Sequence, residues 1–260
     1  MNTKIECLLF VTALVPVLSS CNLMITGADS TVEYREPFTF TKPVAARSEL
    51  SISNINGNIT VTGVDTLNEV RISGTKIARD ETLEEAKQRV GEIRIEVTEL
   101  PTTLSIRSSH PNSSGNRQYQ VDYEIRVPSS WKIAVSNING NVSILNVKNT
   151  TKTTITNGTL EAWEIRGNVE SDVTNGSIMA GVYLPENGAC VLGVMNGTVA
   201  LQIPRSTSAA VSATAMNGTV SVSNLPLVPA SRTGLSGTLG DGKGTIRLST
   251  LNGTITLTGF

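Results

Sequence analysis

The sequence predicts an all-β protein: a β-solenoid-like stack of short strands with Asn-Gly corners, carrying one short helix in an N-terminal insertion. Three observations lead there. The dipeptide Asn-Gly recurs at Asn56-Gly57, Asn139-Gly140, Asn157-Gly158, Asn175-Gly176, Asn196-Gly197, Asn217-Gly218 and Asn252-Gly253. From 139 to 217 its steps are near-regular, at 18, 18, 21 and 21 residues. The segments between are alternating and rich in Thr, Ser, Val and Ile, with only 4% aromatic and 17% charged residues. Asn and Gly enter positive φ at the least cost, so the pair marks a corner between extended segments. Coils of constant perimeter require equal spacing, and stacked coils would line the Asn residues into a ladder that satisfies buried amides. Asn-Gly is also the strongest short-range hairpin signal, so an antiparallel β-meander or sandwich is the alternative.

The chain opens on a targeting segment. Lys4 supplies a sparse positive region, weakened by Glu6, and Leu8 to Val17 is apolar but far too short to span a bilayer. It ends in Leu18-Ser19-Ser20-Cys21, which reads as a lipobox with residues 1–20 as signal peptide and Cys21 as the lipidation site. An ordinary signal peptide cut near Ser20 is the other reading. Acylation anchors an exported protein to a membrane through the N-terminal lipid. The resemblance to a bacterial lipobox implies, for a two-membrane bacterium, that a residue other than Asp after the Cys, here Asn22, sends the lipoprotein to the outer membrane. Cys7 leaves with the signal peptide and Cys21 is modified, so Cys190, between Ala189 and Val191, reads as a small buried hydrophobe. A net charge of −1 gives no basis for nucleic-acid binding.

Residues 21–45 contain Pro37 and Pro43, show no clear periodicity, and read as a tether. Strand alternation begins at Glu49–Ser53 and continues beyond the first corner at Ile59–Thr62 and Val70–Ser73. Thr82 with Glu85 three residues later forms a capping box, and Leu83, Ala86 and Val90 share one helical face, with Gly91 ending it. Strands follow at Ile93–Val97, Thr103–Ile106 and Val121–Val127, with a polar loop between the last two; residues 66–127 thus form a helix-containing insertion. Over 128–260 the plan is an apolar residue and Pro, a link, a strand, Asn-Gly, and a second strand. Pro128, Pro185 and Pro204 each open such a unit, where a missing N–H breaks no ladder. The stretch from Leu225 to Gly244 departs from the plan and reads as an inserted turn before the last repeat.

The lipobox, the Asn-Gly repeats, the helix-containing insertion and the Val127-Pro128 start of the repeat series together resemble a bacterial family of putative adhesin domains built from β-strand repeats. The resemblance covers residues 46–260. It implies a cell-envelope protein with a β-stack and no established enzymatic chemistry, and so a non-enzymatic adhesin-like or interaction scaffold. The partner would be a protein or polysaccharide of the envelope.

Candidate chemistry is sparse. His110 is the only histidine, and nothing marks a serine as its nucleophile. One His and one free Cys give no zinc ligand set, and no cofactor motif is present. Asp241 in Leu239-Gly240-Asp241-Gly242-Lys243-Gly244 reads as turn chemistry. Trp131, Trp163 and Tyr183 are the candidate ligand-stacking residues, a carbohydrate platform if they face outward and core packing if they do not. A polysaccharide- or small-ligand-binding module is therefore the second function class. A polysaccharide-active enzyme on a β-helix is the third, disfavoured because the repeats carry Thr, Ser and Ala where clustered Asp, Lys and Arg would be needed.

Overall fold

The computed structural model describes residues 31–44, 46–112 and 117–260. In chain order the strands are β1 (Val32–Pro43), β2 (Glu49–Asn56), β3 (Ile59–Val64) and β4 (Glu69–Asp80), followed by the helix α1 (Leu83–Val90). Then come β5 (Arg94–Glu99), β6 (Thr103–Ser109), β7 (Gln118–Pro128), β8 (Lys132–Asn139), β9 (Val142–Leu145), β10 (Thr151–Ile165) and β11 (Val169–Val182). The chain closes with β12 (Ala189–Ile203), β13 (Ala209–Ser223), β14 (Gly234–Leu239) and β15 (Gly244–Gly259). The predicted signal peptide and Cys21 lie outside the described residues. Among those residues no helix is long and apolar enough to cross a membrane.

β10, β11, β12, β13 and β15 each run through an Asn-Gly pair and bend there instead of turning back; β2/β3 and β8/β9 flank the first two pairs. Successive coils are parallel and in register at the corner. Asn56 faces Asn139, and Asn139 faces Asn157. The column continues through Asn175, Asn196, Asn252 and Asn217. Parallel pairing decides for the stacked coil over the meander, whose hairpins would be antiparallel.

The unusual backbone falls on the Gly, with φ from +122° to +151° at six of the seven corners, while none of the seven Asn residues has positive φ. At those six corners an added Cβ would fall 1.7 to 2.2 Å from a neighbouring strand's backbone carbonyl. Glycine is thus required twice, for its dihedral and for the close approach.

Side chains on alternate positions meet inside the bend. The row three residues after each Asn is Ile59, Val142, Leu160, Ile178, Val199, Ile255 and Val220, and every member is buried. Each such side chain contributes roughly 1.5–3 kcal/mol when fully buried. The opposite wall contributes Leu50, Ile52, Ile133, Leu192, Ile246 and Leu248.

The insertion closes one end of the stack. β6 pairs with β2 and β5 pairs antiparallel with β6, extending the wall before the corner. On the other wall β7 pairs with β3, and β4 and β1 continue it in antiparallel sense. α1 has the predicted capping box: Glu85 N–H donates to Thr82 Oγ1 at 3.3 Å, and Thr82 N–H donates to Glu85 Oε2 at 3.1 Å. Ala86 and Val90 are its buried face.

Two sequence expectations change. Residues 32–43, assigned to the tether, form the edge strand β1; Pro37 and Pro43 are tolerated because β1 pairs on one side only, with β4. The stretch 225–244, read as an inserted turn, contains β14, which pairs antiparallel with the outside of β13. From β14 the chain returns inward, and β15 lies between β12 and β13. Stacking order at this end is therefore Asn196, Asn252, Asn217, not the order of the chain.

Candidate functional site

The corner column is a directed chain of amides. Each Asn Nδ2 donates to the Oδ1 of the preceding coil: Asn139 to Asn56 at 2.8 Å, Asn157 to Asn139 at 2.8 Å, and Asn175 to Asn157 at 2.9 Å. It continues with Asn196 to Asn175 at 2.8 Å, Asn252 to Asn196 at 2.7 Å and Asn217 to Asn252 at 2.9 Å. At the capped end Asn56 Nδ2 donates to the Tyr119 carbonyl at 3.0 Å, with His110 Nε2 at 3.4 Å. The ladder faces outward, contrary to the expectation of buried amides, because side chains at the bend project away from the interior. The buried amides sit two residues earlier. Asn54 Nδ2 donates to the carbonyls of Asn56 and Val121, both at 3.1 Å. Asn137 Nδ2 donates to those of Gly57 at 3.0 Å and Gly140 at 3.1 Å.

Immediately before the corner, three neighbouring coils expose an apolar row. Met195, Leu251 and Met216 are 50%, 39% and 70% exposed. They stand beside the small residues Gly193, Ser249 and Thr214, which makes a groove of about 510 Å³ across the strands. Sequence reading did not single out these residues; the threading of β15 is what places Leu251 between the two methionines.

The candidate stacking residues separate. Trp131 is 2% exposed and belongs to the core, so it is not part of a platform. Trp163 and Tyr183 are half-buried on the outside of the second wall, the one formed by the strand segments that follow the corners. Trp163 occupies the space a side chain at Gly181 would take, a Cβ there falling 2.7 Å from Cε3. Tyr183 is fixed by its neighbours. The Arg166 guanidinium carbon lies 4.0 Å from the ring centroid, and the hydroxyl donates to Glu164 Oε1 at 3.3 Å. Arg166 Nη2 bonds the other Glu164 oxygen at 3.0 Å. Glu164 reaches this position from φ +55° at a bulge in β10. Phe260, not foreseen as a site residue, meets Tyr183 edge-on with centroids 5.6 Å apart and is 50% exposed.

Beside the helix lies a charged cluster. Arg89 Nε donates to Asp80 Oδ2 at 3.0 Å and Arg89 Nη1 to Glu92 Oε1 at 2.7 Å, while the Tyr119 hydroxyl donates to Glu92. Burial opposes ionisation of Asp80, but the bonds from Arg89 and from Glu81 N–H outweigh it and hold its pKa below the ordinary carboxylate value. Burial, reinforced by Glu92, pushes the Tyr119 hydroxyl up to about 12. His110 stacks on Tyr119 with centroids 5.1 Å apart, which makes it more ordered than a solvated loop residue. Cys190 is fully buried, as expected, and burial pushes its thiol up to about 12. Among the described residues no group of three His, Cys, Asp or Glu converges as a metal site.

No family model matches the chain, and no curated protein matches it. Solved structures similar to it include putative adhesins. A putative cell adhesion protein from Clostridium sporogenes is 14% identical, covering 86% of this chain and 100% of its own, with a TM-score of 0.48. A putative adhesin from Bacteroides fragilis is 12% identical over 86% of this chain and 97% of its own, with a TM-score of 0.33. One from Parabacteroides distasonis is 8% identical over 85% and 97%, with a TM-score of 0.24.

Proposed function

We propose that this chain is a non-enzymatic lipoprotein of the cell envelope that acts as an adhesin-like interaction scaffold. The observation that carries the reading is the exposed row Met195–Leu251–Met216 on three hydrogen-bonded coils. A contiguous exposed apolar row is a contact surface, and methionine adapts its shape to a partner. Parallel pairing in register on both sides of each corner holds the row on a stiff support. The Leu18-Ser19-Ser20-Cys21 motif supports export and anchoring of that support by lipid, with the outer membrane as the destination.

Two measurements test the reading. Metabolic labelling with a palmitate analogue should mark the wild-type chain and not Cys21→Ala; an unlabelled wild type removes the anchor. Cells expressing Leu251→Asp at wild-type levels should adhere less to a surface that retains wild-type cells. Adhesion by the mutant equal to that of wild-type cells would remove the apolar row, and wild-type adhesion no greater than that of cells lacking the protein would remove the scaffold role.

A further inference from the structure

We propose that the outer end of the second wall, beyond β11 and β12, holds a binding groove for a neutral oligosaccharide. This rests on the scaffold reading above and names a ligand class for it, at a surface separate from the apolar row.

A groove of about 420 Å³ opens where the chain leaves β11 and β12, within the roughly 300–1,000 Å³ of small-ligand sites. Its two sides differ in chemistry. Tyr183 and Pro204 form an apolar side, and the half-exposed ring of Phe260 lies against Tyr183. Glu186, Ser206, Asp241 and Lys243 supply the polar lining. A pyranose ring has the same two characters, with C–H groups on its faces and hydroxyls around its rim. An aromatic wall takes the C–H face, and carboxylates and hydroxyls take the rim, where each unpaired hydroxyl would otherwise cost a hydrogen bond.

The groove is ordered before any ligand arrives. Arg166 and Glu164 fix Tyr183 as described, so little ring freedom remains to be lost. The loop bearing Asp241 is tied down by Ser208, whose hydroxyl oxygen accepts from Asp241 N–H at 3.1 Å and Lys243 N–H at 3.3 Å. Gly240 at φ +54° and Gly242 at φ +70° let the chain turn tightly around Asp241. The motif that sequence reading assigned to turn chemistry thus aligns a carboxylate with the groove. Lys243 pairs with Glu186, and Asp241 forms no ion pair among the described residues, so the groove disfavours a polyanion.

The test is affinity electrophoresis of the full chain through gels containing xylan, laminarin, mannan or dextran, with alginate as the anionic comparison. Retardation by at least one neutral polysaccharide is expected, weakened ten-fold or more in Asp241→Asn and in Phe260→Ala. Both side chains are at the surface, and unchanged thermal melting will show that the fold is kept. Leu251→Asp should be retarded like the wild type even where it abolishes adhesion, which separates this inference from the apolar-row test. No retardation by any of the four, retardation by alginate alone, or equal retardation of wild type and both variants would overturn the assignment. Loss of retardation in Leu251→Asp would also overturn it, by moving the site to the apolar row.

Discussion

Replacing Gly140 by alanine should cost far more than deleting the side chain of Asn139 beside it. Gly140 has φ +130°, and its added Cβ would lie 2.2 Å from the Gly57 carbonyl oxygen. That contact must open by about 0.8 Å to reach even a tight separation of 3.0 Å. The same movement stretches the bond from Gly57 N–H to the Asn139 carbonyl, now 2.9 Å, and that from Asn137 Nδ2 to the Gly57 carbonyl, now 3.0 Å. Both would then exceed normal hydrogen-bond length. Two weakened bonds at about 1 kcal/mol each, with about 1–3 kcal/mol for the strained backbone, give a loss of roughly 3–5 kcal/mol. Asn139→Ala removes two ladder bonds at a solvated surface, for about 1 kcal/mol or less. Urea unfolding followed by far-UV circular dichroism measures both. A Gly140→Ala loss below about 1 kcal/mol, or one smaller than that of Asn139→Ala, would refute the close-approach explanation of the corner.

Three further outcomes follow from the core and the charged cluster. Thr153 is buried beside Val135 and Ser171, and its hydroxyl has no protein partner among the described residues. Thr153→Val should therefore raise stability by about 1 kcal/mol in the same urea assay, and a loss of that size would show the hydroxyl is satisfied. Asp80 has a depressed folded pKa, so its contribution is present above the unfolded carboxylate value and lost as pH falls through the folded one. Stability should decline from about pH 4 downward, less steeply in Asp80→Asn; parallel curves for the two would place the acid sensitivity elsewhere. With Cys7 and Cys21 changed to Ser, Cys190 should resist a thiol reagent at pH 8 until the chain is unfolded, and rapid labelling of the native protein would contradict its burial.

Local chemistry in the sequence carried most of this architecture, and its silence fell on order and partnership. The Asn-Gly period identified the corners because a coil of fixed perimeter returns the same residue to the same place. Thr82 and Glu85 marked the helix start because their bonds depend only on neighbours in the chain. Equivalence between repeats carries no information about which coil lies beside which, so the insertion of β15 between β12 and β13 was not legible. In β1 the prolines concealed the alternation of Phe38 and Phe40, since whether a proline breaks a strand depends on its being at an edge. Of the candidate stacking residues, Tyr183 lines the groove, Trp163 lies on the same wall and Trp131 is in the core. Nothing local distinguishes them: burial is decided by what stacks above each coil. Phe260 gains its role only because β15 brings it beside Tyr183.

The central claim is that the corners form one column whose last two members are exchanged relative to the chain. Disulfide trapping tests it most directly, with Cys7 and Cys21 first changed to Ser. Adjacent coils place facing Cα atoms about 5 Å apart, within disulfide reach, while alternate coils are about 10 Å apart and outside it. The structure predicts that Leu251→Cys crosslinks with Met195→Cys and, in a separate variant, with Met216→Cys. Met195→Cys with Met216→Cys should not crosslink, because β15 lies between them. Crosslinking of that last pair, with none to residue 251, would contradict the threading.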